Sequence, residues 1–137
     1  MRSTLLAGAL VLAACAHPSA LAPTTEPLAE PPPPGIARVW HGRVPAARAD
    51  EYAAYLASAV TKFRTLPGNL GYEVLRDDAG PEVHFMVVSY WTTKDAIRVY
   101  AGDDITKTRP LPRDPEFLIE AEPTVRNYQL DLRDLAQ

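Results

Sequence analysis

The run from Val83 to Trp91 is nearly continuously apolar, and it constrains the fold more than any other segment of the chain. Read with a period of two, Val83, Phe85, Val87 and Trp91 share one face, and Met86, Val88 and Tyr90 share the other. A strand with helices on one side and water on the other alternates apolar with polar residues. This strand asks for cover on both sides. Helices of the same chain can supply one cover. The second face, left bare, would be a large exposed apolar patch, and such patches mark interaction sites. The same sheet of a second copy is the simplest cover, so the pattern predicts a homodimer.

The segments around this run supply the rest of a sheet. Ile36 to His41 reads as a strand ended by Gly42 and Pro45. From about Ala47 the period turns helical, with Tyr52, Tyr55, Leu56, Ala59, Phe63 and Leu66 recurring at three- and four-residue spacing. Asp50 and Glu51 fall in its first turn, where negative charge meets the positive end of the helix dipole, and Pro67-Gly68 stops it. Leu70 to Arg76 is a second strand, joined to Glu82–Trp91 as a hairpin through the turn-rich Asp77-Asp78-Ala79-Gly80-Pro81. Thr92 reads as the N-cap of a short second helix, with Asp95 completing a capping box. That helix buries Ala96, Ile97 and Tyr100 and ends at Gly102. Asp103 to Asp114 is irregular, Pro115 to Ala121 makes one helical turn or two, and Pro123 to Leu130 is a fourth strand. The order strand, helix, strand, strand, helix, strand predicts a ferredoxin-like βαββαβ α+β sandwich. Its antiparallel four-stranded sheet carries both helices on one face.

Ahead of this domain the chain has a different character. Arg2, an uncharged run from Leu5 to Ala14 and small residues at its end describe a secretory signal. The run is about half the roughly 20 residues a helix needs to cross a bilayer, so it is no transmembrane anchor. Leu12-Ala13-Ala14-Cys15 resembles a bacterial lipobox. That resemblance implies that Cys15, the sole cysteine, is lipidated and becomes the first mature residue. It places the protein in a bacterial envelope, held by acyl chains to the outside of the inner membrane or to the periplasmic face of the outer membrane. Ala16 rather than Asp after the cysteine favours the outer membrane. Two chains anchor stably where one does not. Cleavage with Cys15 incidental is the alternative. Pro18, Pro23, Pro27 and Pro31 to Pro34 exclude helix and sheet and favour extended polyproline II. At ~3.1 Å per residue this tether reaches roughly 50–60 Å. The chain thus divides into a signal over 1–14, a tether over 15–35, a domain over 36–132 and a tail over 133–137.

Several chemistries are excluded by composition and spacing. The net charge is −3 with both signs interspersed, so no basic stripe offers nucleic acid a footprint. Cys15 has no partner within the chain for a disulfide. The histidines at 17, 41 and 84 are scattered and lack metal-ligand spacing. Gly68-Asn69-Leu70-Gly71 lacks the lysine of a phosphate loop, and no serine lies in a G-x-S-x-G context.

Six strings, spread in order along the domain, resemble the antibiotic biosynthesis monooxygenase superfamily of dimeric α/β barrels. They are Ile36-Ala37-Arg38-Val39-Trp40-His41-Gly42, Leu66-Pro67-Gly68-Asn69 with Gly71, Tyr90-Trp91-Thr92, Asp95-Ala96-Ile97, Tyr100-Ala101-Gly102-Asp103-Asp104-Ile105 and Glu122-Pro123-Thr124-Val125. The resemblance implies a fold more firmly than a reaction, because the superfamily mixes oxygenases, heme degraders, isomerases and members without demonstrated activity. This chain has Asn127-Tyr128 where relatives often have His-Tyr, and Pro110-Leu111-Pro112 where a tyrosine is common.

The best-known oxygenases of that superfamily use no metal, flavin or heme. Their substrate, an enolisable phenol or anthrone, reduces oxygen itself once deprotonated. Such chemistry needs an apolar pocket, a proton acceptor and donors to a developing oxyanion. The resemblance matches Trp91 to a pocket tryptophan. Tyr72, Arg126 and Tyr128 are nominated to present polar tips to one cavity between sheet and helices, Arg126 holding the oxyanion. His84 is the nominated base on its ordinary pKa, with His41 a weaker candidate. The expectation is therefore an enzyme needing no cofactor, acting on a small aromatic or quinol-type compound. A non-catalytic dimeric module binding a small apolar ligand or an envelope partner is the alternative. Heme degraders of the superfamily hold iron through a histidine in or after the second helix, and Thr93 to Arg113 contains none.

Overall fold

Strand order follows from which strands can be paired on both edges, and the apolar run is one of the two inner strands. The computed structural model describes residues 35–78 and 80–134; the Cys15 lipidation motif and the tether lie outside the described residues. The elements are β1 (Ile36–Pro45), α1 (Ala49–Val60), β2 (Asn69–Asp77), β3 (Glu82–Trp91), α2 (Lys94–Ala101), α3 (Asp114–Phe117), β4 (Glu120–Ala121) and β5 (Arg126–Gln129). β3 pairs antiparallel with β2 on one side and β1 on the other. The far edge of β1 takes both β4 and β5, so the order is β2-β3-β1 followed by a divided fourth position. This is the expected ferredoxin-like sandwich.

The period-two reading of β3 holds residue for residue. Val83, Phe85, Val87 and Trp91 are buried, with Ser89 completing the face. Against them pack Tyr52, Leu56 and Val60 of α1, then Phe63 and Phe117. Ile36, Trp91 and Ile97 close the other end of the same layer. Each large side chain buried there contributes roughly 1.5–3 kcal/mol over leaving it in water. On the opposite face Met86, Val88 and Tyr90 are half-buried, while Leu75 and Tyr128 are 47% and 49% exposed.

Four local expectations need correction. β1 does not stop before Gly42 but runs through it to Pro45. Gly42 is where the Trp40 ring lies against the backbone; a Cβ there would sit 2.2 Å from that ring. A glycine inside a strand often marks such a close approach. The first helix stops being α-helical at Val60 and tightens to a 3₁₀ turn over Thr61–Thr65. Thr61 and Thr65 hydroxyls donate back to the carbonyls of Ser58 and Lys62, competing with the regular ladder. The N-cap of α2 is Thr93, whose Oγ1 accepts from the Ala96 amide, because the Thr92 amide is already donated to the Gly68 carbonyl. The fourth strand is also shorter than expected, with β5 covering Arg126–Gln129 only.

Candidate small-molecule site between sheet and helices

Alternation along each strand decides which nominated residue meets which. Ser89 pairs with Tyr72 of β2 and Arg38 of β1, so Tyr72, Arg38, Ser89 and Trp91 point to the helix side. Val88 pairs with Val39, Val39 with Arg126, and Ala37 with Tyr128, so Arg126 and Tyr128 point to the opposite face. His84 pairs with Arg43 and is exposed on that same outer face. The five nominated residues therefore do not line one cavity. Tyr72 and Trp91 are separated from Arg126, Tyr128 and His84 by the sheet itself.

The two on the helix side stand in packed core. Trp91 is 0% exposed, its indole N–H donates to Ser89 Oγ at 2.9 Å, and its ring meets Phe63 and Tyr100. Tyr72 packs edge-on against Phe63. On the outer face His84 borders a hollow of ≈ 460 Å³ with His41, Arg43, Glu120 and Glu122, rich in ionisable side chains and without aromatic walls beyond Phe85. Among the described residues no group of three or more His, Cys, Asp or Glu can hold a metal ion.

A different set of residues surrounds the cleft between sheet and helices. It opens between β1, β3, α1 and the segment 109–114, and holds ≈ 50 Å³. Trp40, Tyr52, Phe63 and Tyr100 give it aromatic walls, and Arg38, Arg109 and Asp114 supply its charge. Arg38 is 5% exposed. It donates to the carbonyls of Ile105 and Lys107 and to Asn127 Oδ1, tying the segment after α2 to the sheet. Burial draws its pKa below the usual arginine value, against the opposing influence of Tyr100. Asp114 is likewise buried; its carboxylate accepts from the Tyr52 hydroxyl at 3.1 Å and the Leu111 amide at 2.7 Å. Burial raises its pKa, and these two hydrogen bonds oppose the rise. The Tyr52 and Tyr100 phenols are pushed up, chiefly by burial.

Arg38 was not among the residues nominated from the sequence, though a signal for it was there. It occupies the core-facing register of β1 between Ile36 and Trp40, and a charge at such a position is a signal in itself. Asp114 gave no comparable sign, since Asp-Pro at a helix start reads first as a cap.

The profile of the family described as antibiotic biosynthesis monooxygenase matches residues 36–106, more than half the chain. The chain belongs to that family. Solved structures agree on the fold. The fold is shared with a Nitrosomonas europaea protein of unknown function at 16% identity and TM-score 0.58, covering 76% of this chain and 96% of that one. The Mycobacterium tuberculosis heme degrader MhuD, solved with two hemes in its active site, aligns at 23% identity and TM-score 0.51, over 74% and 99% of the two chains. A Caulobacter crescentus protein carrying the same family assignment aligns at 22% identity and TM-score 0.53, over 71% and 91%. No curated protein matches the chain.

Proposed function

We propose that this family member is a dimeric small-molecule-binding module, held in a bacterial envelope through acylated Cys15. The observation that supports it most is the cleft itself: aromatic walls with a few convergent polar groups are the usual make-up of a ligand site. Its ≈ 50 Å³ is room for a few waters or the head of a ligand, well below the ~300 Å³ that whole-ligand pockets start from. A ring therefore rests at the edge of the cleft, or enters as the exposed Arg109 moves. The outer face, with Met86, Val88, Leu75 and Tyr128, is the surface a second copy would cover. Titration calorimetry with small aromatics tests the module; an absence of binding across a broad panel removes it.

The family's oxygenase chemistry is the second reading, and Asp114 favours it. The histidines nominated from the sequence, His84 and after it His41, both stand on the wrong side of the sheet for this cleft. Asp114 is a carboxyl in the cleft with a pKa moved toward neutrality, the property expected of a proton acceptor. In that reading the substrate phenol or enol gives its proton to Asp114 while Arg38 stabilises the oxyanion. The carbanion then forms a C–O bond with dioxygen, Asp114 returns its proton to the peroxide, and the hydroperoxide loses water to leave a carbonyl. Oxygen uptake with enolisable aromatics, without added flavin, metal or heme, separates the readings. Binding with uptake assigns the oxygenase and binding without it assigns the module.

Heme does not fit the residues present. The cleft lining has no histidine, cysteine or methionine to ligate iron, and its tyrosines are held protonated by burial. Its volume is that of a head group rather than a porphyrin. The anchor has its own test: a fatty-acid probe should label the wild type and not Cys15→Ser, and equal labelling of both would remove it.

A further inference from the structure

We infer that the ligand this cleft is built for carries a carboxylate, seated between Arg38 and Arg109. The inference rests on the small-molecule reading above and names its ligand class. Arg38 is the centre of it. Its side chain lies in the core layer of β1, where neighbours Ile36 and Trp40 are apolar, and it makes no ion pair among the described residues. The partners it has are two backbone carbonyls and an amide oxygen. Neutral acceptors satisfy guanidinium hydrogens without cancelling the charge. A buried charge without a counterion is expensive, and an apolar residue of similar volume would fill the same space at less cost. Holding the 105–107 segment does not require arginine's charge, since the Asn127 amide donates to the same Ile105 carbonyl.

A second cation reaches the cleft from the chain after α2. The Arg109 guanidinium lies 6.0 Å from the Tyr100 ring centroid, and this is its one specific contact among the described residues. The sole acid of the lining, Asp114, already accepts from Tyr52 and Leu111 with both oxygens. Two arginines against one preoccupied acid leave the cleft positive inside an aromatic wall. A carboxylate suits the fork of a guanidinium bidentately, and its size suits the available volume. A ring attached to it would meet Trp40 and Tyr100.

The test uses the mature full chain, with benzoate as probe and benzyl alcohol as its neutral counterpart, followed by tryptophan fluorescence. Trp40 lines the cleft, and Trp40→Phe assigns the signal to it. Charge-assisted contacts predict that benzoate binds at least ~10-fold tighter than benzyl alcohol. Arg109→Gln, exposed and outside the core, should weaken benzoate about 10-fold and leave benzyl alcohol unchanged. Equal affinities for the two probes, or benzoate binding indifferent to Arg109→Gln, would overturn the anion preference and leave the small-molecule reading standing. Failure of both probes to bind would overturn the two together.

Discussion

On the helix-covered face of the sheet, Trp91, Phe85 and Val83 are at most 2% exposed; on the other face, their strand neighbours Tyr90, Val88 and Met86 remain half-buried, and His84 is open. The same strand makes both faces, and both are nearly as apolar in sequence. What separates them is who covers them. Helices of the chain itself seal one face and leave a small charged cleft at Arg38. The other carries a row of large apolar side chains that no helix among the described residues covers; only Arg133 lies over one of them, 4.5 Å from the Tyr90 ring centroid. Hydrophobic pattern alone thus shows that both faces want partners, and only the helices' placement shows which face holds an internal cleft.

The sharpest way to break that contrast is to truncate the sealed face. Trp91→Ala should destabilise the fold by roughly 3–5 kcal/mol, read as a lowered midpoint in urea unfolding, because a fully buried indole leaves a cavity that its neighbours only partly close. Arg126→Met on the open face should leave that midpoint in place. Next, Met86→Glu or Val88→Glu should break a dimer at a cost of several kcal/mol, since an unpaired charge would be buried against the partner. Light scattering on the mature chain decides it. A wild type that is a stable monomer at micromolar concentration refutes the expectation of a covered outer face.

Much of the sealed face was legible in the sequence. β3 follows its period-two pattern from Glu82 to Trp91, and α2 buries Ile97 and ends at a Gly102 with φ of 84°. Strand period assigns residues to one face or the other, but it does not say which face the helices choose. Trp91 and Arg126 were grouped by resemblance and by shared chemistry, and the register places them on opposite sides. The cleft escaped for a related reason. Its charged residues come from β1, from the loop after α2 and from the start of α3, three segments far apart in sequence whose meeting depends on an irregular stretch without periodic signal.

A smaller effect belongs to the cleft's acid. Tyr52→Phe removes a donor from a buried carboxylate and should cost about 1–3 kcal/mol. Because the folded pKa of Asp114 is raised, the native state binds a proton that the unfolded chain has released. Its contribution is full below the ordinary aspartate value and is lost as pH rises through the folded value. Asp114→Asn should flatten that part of the stability profile, measured as unfolding midpoint against pH. Smallest of all, His84→Ala should change neither stability nor ligand binding, since His84 is exposed and across the sheet from the cleft.

The division of labour between the faces is tested most directly by amide chemical-shift mapping of the mature chain during titration with benzoate. The expected shifts cluster at Arg38, Tyr100, Arg109, Leu111 and Asp114, and leave the outer face unmoved. Shifts confined to His84, Met86, Arg126 and Tyr128 would contradict it, and would place the ligand on the face assigned here to a second copy.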